Sequence, residues 1–576
     1  MKLSRMVLCA GVLLIACSVQ AASRFSLIPK DSDVIVRVSS VSGVTEALKT
    51  TSFGRLWNDP KFQEALGEYD LEKFLKESIF SDATEEERHL YMEEAKMLSG
   101  EVVFAANIAE EEFTLIAAIS EEDFKRSQVI DRRLCEIEQN ATVIHKDSYQ
   151  GIDIFSHTQT GEDDSTSWQA FIDNTLLMSS SEEWLKKTIT QIKKIPIKQK
   201  DDEQPTLAFR INIKSLLDKF VKETEADIAE TKSNSPEIGS MMPEFSPTKI
   251  IDALGFSGLK TVTISMKLHE DRMVSQSLLA IEKPLKGILS MVDLTPSPID
   301  LKIPYAPERI ISYEVSRINL MALWQQIPQL LNEALPPQLA AQANGGLMMS
   351  SAMLGVDPGR DLIAHLDTQI IATYLDDEPE PKGMFFMRLK NEEALQGSLQ
   401  KIFAETGMLR QQMGEGFKLE IFRDSNLYEF ITPGTNTTFA FTAESGYLVM
   451  GSGDVVRQYL RAIDSNEVAN QAFYKSRLYS ELRKRVNSKS VGYSAMDIGK
   501  YVKVLLNMVI DNAALAGAGA MCQTKTGGNN PFPNFDMKKL PSADYMSKFF
   551  GASFGQVVPT PKGIKSNAIM YYEPMK

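Results

Sequence analysis

The sequence predicts an α+β protein of two similar domains, each a mainly antiparallel sheet with helices packed on a face. Three observations predict it. The passage WQAFIDNTLLMSSSEEWLKKTITQI at 168–192 returns as TFAFTAESGYLVMGSGDVVRQYLRAI at 438–463. Other segments of the two halves echo each other in the same order, and a proline-dense stretch separates the halves.

In the first copy Trp168, Ala170 and Ile172 alternate along a short strand, Asp173-Asn174 suit the positive backbone angles of a tight hairpin, and Thr175 to Ser179 return as a second strand. Ser180 and Glu183 then stand at capping-box spacing, and Leu185, Ile189 and Ile192 recur at helical intervals as one apolar stripe. In the second copy Phe439 and Phe441 alternate, Gly446 supplies the turn, and Val456, Leu460 and Ile463 form the stripe, each 271 residues after its counterpart. A helix with such a stripe must lie across the sheet to hide it.

The echo runs along both halves. The opening strands are VIVRVSS and RIISYEVS. GEVVFAANI answers to DTQIIATYL, and FTLIAAISEEDFKRSQVI to GMFFMRLKNEEALQGSLQKI, each a strand entering a helix whose first turn is acidic, as the helix dipole favours. YQGIDIFSH matches FKLEIFRDS. TLAFRINIKSLLDKFV matches VGYSAMDIGKYVKVLL, with Asn212 and Asp497 placed as helix N-caps. Both halves close on a short helix, a glycine-bounded turn and two strands, in SPTKIIDALGFSGLKTVTIS and LPSADYMSKFFGASFGQVVP. Pro296, Pro298, Pro304 and Pro307 make the connecting stretch an extended linker, which sets the domains at 23–300 and 301–576.

Residues 1–22 read as a secretory signal: Lys2 and Arg5 precede an apolar run too short to be a stable span. Val19-Gln20-Ala21 offers the small residues of simple cleavage, the favoured reading, whereas Leu14-Ile15-Ala16-Cys17 fits a lipidation box and leaves a lipid anchor at Cys17 as the alternative. The expected location is periplasmic or otherwise extracytoplasmic, with envelope lipoprotein as the alternative. Asp511 and Asn507 interrupt the later apolar stretch, so no transmembrane span is expected after cleavage.

With 43% hydrophobic and 24% charged residues among 576, the chain has the composition of a folded protein. Its net charge of −14 argues against nucleic acid or an anionic membrane as the main partner, and the charge grows more negative once Lys2 and Arg5 leave. Cys135 and Cys522 fall at non-equivalent places in the two halves, and two inert thiols are favoured over a disulfide.

The chemical motifs are weak. Gly551-Ala552-Ser553-Phe554-Gly555 fits the nucleophile elbow GxSxG, but a helix leads in and a strand leads out, and the last histidine of the chain, His365, precedes the serine. The equivalent Gly255-Phe256-Ser257-Gly258 turn suggests a steric demand for small residues. Ser257-Gly258-Leu259-Lys260 matches SxxK without its partner motifs. His89 and Glu93 lie one helical turn apart without a second histidine, and the acidic runs at 162–164 and 376–380 lack the alternating oxygens of a calcium loop. The 26 methionines read as core filling. In Phe53-Gly54-Arg55-Leu56-Trp57-Asn58-Asp59-Pro60, Asp59 and Pro60 start a helix that Leu56 and Trp57 staple to the sheet, and Arg55 is a candidate anion ligand. No catalytic, cofactor-binding or metal residue is assigned.

LIPKDSDVIVRVSS, TSFGRLWNDPKF, LGVDPGRDLIAHL, YLVMGSGDVVRQYL and LPSADYMSKFFGASFGQVVPTPKGIK are spread along the chain from residue 27 to residue 565. On these residues the chain resembles a family of secreted bacterial proteins with a domain of unknown function, of planctomycete and verrucomicrobial type. The resemblance implies an envelope location and a duplicated α+β fold, and no activity. The functional expectation is a non-enzymatic cell-envelope protein binding an envelope ligand or protein through its paired domains, in the groove between them. The alternatives are an envelope hydrolase with a dispersed site and a carrier of apolar molecules.

Overall fold

The computed structural model describes residues 24–574 apart from 30–31, 68–82, 99, 109, 111, 138–140, 161–164, 195–205, 235–245, 297, 377–381, 405–407, 432–437, 466–467 and 516–535. The signal segment with Cys17, the acidic run 162–164, most of the run 376–380 and Cys522 lie outside the described residues, as does the side chain of Cys135.

The class is α+β, and the strands form one large antiparallel sheet. Those before the connector are β1 (Val34–Val38), β2 (Val102–Asn107), β3 (Glu112–Ala118), β4 (Ala141–Tyr149), β5 (Ile152–Thr160), β6 (Ser165–Ile172), β7 (Thr175–Ser179), β8 (Thr206–Ile211), β9 (Leu259–Leu268) and β10 (Arg272–Ile281). After it come β11 (Ile310–Arg317), β12 (Leu366–Leu375), β13 (Lys382–Leu389), β14 (Phe417–Phe422), β15 (Ser425–Ile431), β16 (Thr438–Glu444), β17 (Tyr447–Ser452), β18 (Gly492–Asp497), β19 (Ala552–Thr560) and β20 (Gly563–Tyr571).

The first set pairs in the order β4-β5-β6-β7-β3-β2-β1-β8-β9-β10. The second pairs in the order β14-β15-β16-β17-β13-β12-β11-β18-β19-β20, which is the same order position by position. The sheet does not stop at the connector. β10 and β20 pair antiparallel from Arg272↔Tyr571 to Ala280↔Gly563 and join the two sets edge to edge.

The hairpin and helix passages fold as their residues dictate. Asp173 and Asn174 adopt positive φ of 49° and 53°, and Ser445 and Gly446 do the same at 55° and 80°. Leu185, Ile189 and Ile192 of the helix Glu182–Lys194 are fully buried against Val103, Ile116, Ala170 and Leu177. Val456 and Leu460 of the helix Gly453–Asp464 are buried against Ile371, Phe386, Ala440 and Val449, with Ile463 partly buried beside them. The first helix is capped one residue later than its sequence suggests. Ser181 Oγ accepts from the Trp184 N–H at 3.3 Å, while the Phe113 N–H occupies Ser180 Oγ at 2.9 Å. Asn212 and Asp497 cap as expected, accepting from Ser215 at 3.2 Å and Lys500 at 3.0 Å.

Helices cover both faces of the outer strands. Phe124 of the helix Glu121–Ile137 packs with Phe155, Phe171 and Leu176 on the face opposite the helix Glu182–Lys194. Leu395 and Leu399 of the helix Glu392–Ile402 do likewise with Phe417, Tyr428 and Phe441. The connector is built into a core: Leu301, Ile303, Tyr305 and Ala306 are buried, and the Tyr313 hydroxyl donates to the Leu301 carbonyl. No helix among the described residues is long and apolar enough to cross a membrane.

Candidate functional site

Where β9, β10, β20 and β19 meet, the helical cover is thin. Ile281 is the one buried residue of β10, and Gly563 that of β20. Because directly opposed residues of neighbouring antiparallel strands share a face, the side chains there can be followed across the sheet. On the face carrying the helices Glu182–Lys194 and Gly453–Asp464, one transverse row starts apolar, with Leu177, Ile116 and Val103 opposed in turn. It passes Arg37 and Ala208 and becomes polar at Ser265, Gln276, Asn567 and Gln556. It turns apolar again at Tyr493, Val315, Ile371 and Phe386.

The apolar ends are buried beneath helices, whereas Gln276 is exposed and Asn567 and Gln556 are half-buried. The Gln556 amide donates to Ser490 Oγ. Among the described residues the Gln276 and Asn567 amides have no hydrogen-bond partner, so each presents donors and an acceptor to whatever lies over the sheet. Four strands at about 4.8 Å spacing make this polar floor roughly 14 Å wide from Ser265 to Gln556. Lys267, Arg272 and Lys565 share its face, opposite Val274, Tyr571 and Leu278. The four strands contain no aspartate or glutamate. Sequence reasoning missed this floor because its residues come from four separated strands, and a lone serine or amide in a strand carries no spacing signal.

The two halves also meet through helices. The helix Leu320–Ala334, from the C-terminal half, packs on the helix Pro247–Leu254 from the N-terminal half and continues into the helix Pro337–Leu354. Glu333 is the single charged residue from 320 to 354, and Met348 and Met349 are 77% and 65% exposed, unlike the buried Met97, Met384 and Met546 that fill cores as expected. Two hollows open among these helices. One of about 170 Å³, bounded also by the helix Ile213–Asn234, is lined by Lys214, Asp218 and Asp252 as well as Leu217, Val221, Ile251 and Ser257, and one of about 150 Å³ by Trp324, Ile327, Leu347 and Met348. Both are smaller than the roughly 300–1,000 Å³ of a site enclosing a small-molecule ligand.

Arg55 closes a second junction between the halves. Its guanidinium donates to the carbonyl of Phe549 at 3.3 Å and to that of Tyr572, and pairs with Glu573 at 3.1 Å, so it is committed to backbone and not offered to an anion. Nearby, Tyr545 donates to Asp59 at 2.8 Å, and Asp59 Oδ1 caps the helix Pro60–Leu66. Trp57 is buried against Phe53 and Phe62, as the stapling role requires.

The remaining sequence candidates are dispersed. Ser553 sits inside β19, between Met496 and Met570, not on an elbow. A Cβ at Gly551 would lie 2.2 Å from the Glu573 carbonyl oxygen, which accounts for that glycine sterically, whereas one at Gly555 would meet only the Ser494 hydroxyl, which can rotate away. Lys260 pairs with Glu282 at 2.7 Å instead of activating Ser257, and that hydrogen bond holds the Glu282 carboxyl below its ordinary range. His89 and Glu93 are 3.5 Å apart, but Glu93 also takes Arg126 at 3.3 Å. No group of three metal-ligating side chains occurs among the described residues.

No protein-family model and no curated protein matches the chain. Three solved structures of TP0453 match part of it. Crystal form IV gives a TM-score of 0.23 at 9% identity over 46% of this chain and 81% of that one. Form I gives 0.22 at 9% over 49% and 82%, and form III gives 0.21 at 11% over 46% and 81%. Likeness at this level carries no functional inference.

Proposed function

We propose that this chain is a non-enzymatic protein of the cell envelope, exported by residues 1–22 and built by duplication of one α+β unit, which binds a ligand or partner across the seam of its sheet. The shared strand order of the two halves supports the duplication. The observation that carries the binding reading is the floor of Ser265, Gln276, Asn567 and Gln556, left open between helix-covered ends, with the Gln276 and Asn567 amides free to pair with a ligand. A hydrolase draws less support, because Ser553 sits inside β19 between Met496 and Met570, and Lys260, the SxxK partner of Ser257, is paired with Glu282. An apolar carrier draws less because the two hollows are small.

Native mass spectrometry of mature protein purified from its own envelope tests the reading. A retained species should be lost in Gln276→Ala/Asn567→Ala, whose side chains support no packing. Retention unchanged in that variant would refute binding at the seam.

A further inference from the structure

We infer that the seam binds an acidic polysaccharide, with the basic helix Arg477–Arg485 as the wall of the site. This deepens the proposed seam-binding function and rests on it. From Lys475 to Lys489 the chain carries Lys475, Arg477, Arg483, Lys484, Arg485 and Lys489 against Glu481 alone, in a protein of net charge −14. Stability of the helix explains only part of this. Arg483, Lys484 and Arg485 suit the negative end of the helix dipole, but Arg477 is its first residue and Lys475 precedes the Ser476 cap, where positive charge is unfavourable. Lys475, Arg477, Arg483 and Lys489 are exposed and have no carboxylate within salt-bridge distance among the described residues.

The helix adjoins the floor. Leu478, Tyr479 and Leu482 are buried in the same core as Tyr493 and Phe554. The Arg485 guanidinium lies 4.4 Å from the centre of the Phe554 ring and donates to the Tyr571 hydroxyl at 3.1 Å. Tyr571 stands opposite Arg272, which pairs with Asp271 at 2.9 Å, and Lys267 lies beyond on the same face.

The surface chemistry selects among polyanions. A lipid surface would need apolar side chains to insert, but those of this helix point into the core, and Ser476, Ser480, Asn487 and Ser488 separate the cations. An extended peptide read through its backbone needs a free strand edge, whereas β10 and β20 are each paired on both sides. Unpaired amides, which both donate and accept, match sugar hydroxyls, and the surrounding lysines and arginines match carboxylates.

The test measures binding of mature protein to polygalacturonate, dextran, polyglutamate and vesicles of phosphatidylglycerol, at low and high salt. Polygalacturonate should bind with an affinity that falls steeply with salt. Lys475→Glu/Arg477→Glu should weaken it by roughly ten-fold or more without lowering the melting temperature, since neither side chain is packed and negative charge suits this end of the helix. Gln276→Ala/Asn567→Ala should weaken it as well, and dextran should bind far more weakly. Polyglutamate binding as tightly as polygalacturonate, or vesicles binding in preference to it, would overturn the saccharide assignment. Failure to bind polygalacturonate while the natively retained species is still lost in Gln276→Ala/Asn567→Ala would overturn the assignment and leave seam binding standing. Polygalacturonate binding that ignores both double variants would overturn both.

Discussion

Glu101 lies between two arginines beneath the sheet, and its replacement by glutamine should be among the most damaging isosteric changes in the protein. Its Oε1 accepts from Arg37 Nε at 2.6 Å and its Oε2 from Arg24 Nη1 at 3.3 Å, with side-chain exposures of 11%, 9% and 4% for Glu101, Arg37 and Arg24. Burial lowers the Arg24 pKa, and Glu101 opposes that shift. Unit charges about 4.5 Å apart at an effective dielectric near 20 attract by about 4 kcal/mol. Glutamine keeps the shape and one acceptor but removes the charge, leaving the buried Arg24 guanidinium short of solvent and of its counterion. Breaking a buried ion pair in this way costs about 3–5 kcal/mol, so about 3 kcal/mol is expected for Glu101→Gln. Equilibrium urea denaturation should show a lower midpoint at unchanged slope. Arg24→Met combined with Glu101→Gln should recover part of the loss, because one stranded charge is gone. A loss under about 1 kcal/mol, or strict additivity of the two changes, would refute the reasoning.

Two further outcomes follow from the packing and the titration. Ile189→Ala and Leu460→Ala each remove an almost fully buried side chain from equivalent helices, and each should cost about 3 kcal/mol in thermal or chemical denaturation. A negligible loss at either site would deny its helix a core. The pKa of Glu94, on the helix Glu85–Met97, is pushed up to about 8 by burial and secondarily by Asp131. The folded chain therefore holds a proton that the unfolded chain releases at ordinary carboxyl pH, so stability should fall as pH rises from about 5 to about 8. Glu94→Gln should flatten that decline, and a profile parallel to wild type would contradict the assignment.

The parts of the fold legible in sequence are those in which one residue type answers one local demand. Asp173-Asn174 and Ser445-Gly446 turn hairpins, Asn212, Asp497 and Asp59 cap helices, and Leu185, Ile189 and Ile192 mark a buried stripe, because each depends on neighbours along the chain. Register across the sheet was harder to read. Phe439 and Phe441 are not the counterparts of Trp168 and Ala170. Counted back from the two hairpin turns, Ala440 and Thr442 hold those places, and Ala440 lies under the helix Gly453–Asp464 while Phe441 stacks on Tyr428 on the other face. From the hairpin turn to the first stripe residue the second copy is one residue shorter, Gly446 to Val456 against Asn174 to Leu185, and a one-residue slip exchanges faces. Alternation could not reveal it, because helices cover both faces there and apolar residues occupy both parities. YQGIDIFSH and FKLEIFRDS are not counterparts: Gln150-Gly151 and Arg423-Asp424 are the matching turns, so the first segment leads into β5 and the second is β14, the counterpart of β4.

The site was less legible than the fold. Arg55 is a candidate anion ligand in sequence because a guanidinium suits one, but only the folded chain brings Phe549 and Tyr572 to it. The seam needs residues 265, 276, 556 and 567 aligned, which no local pattern encodes.

The central claim is that β10 and β20 fuse the halves into one sheet with Gln276 facing Asn567, and a designed disulfide tests it most directly. In a background lacking the native cysteines, Gln276→Cys/Asn567→Cys should oxidise readily to a bridge that links peptides from the two halves after proteolysis, because directly opposed antiparallel residues lie within bonding reach. Efficient bridging in Gln276→Cys/Ser566→Cys instead, where the side chains should point to opposite faces, or no bridge in either pair, would contradict the shared sheet and the binding floor built on it.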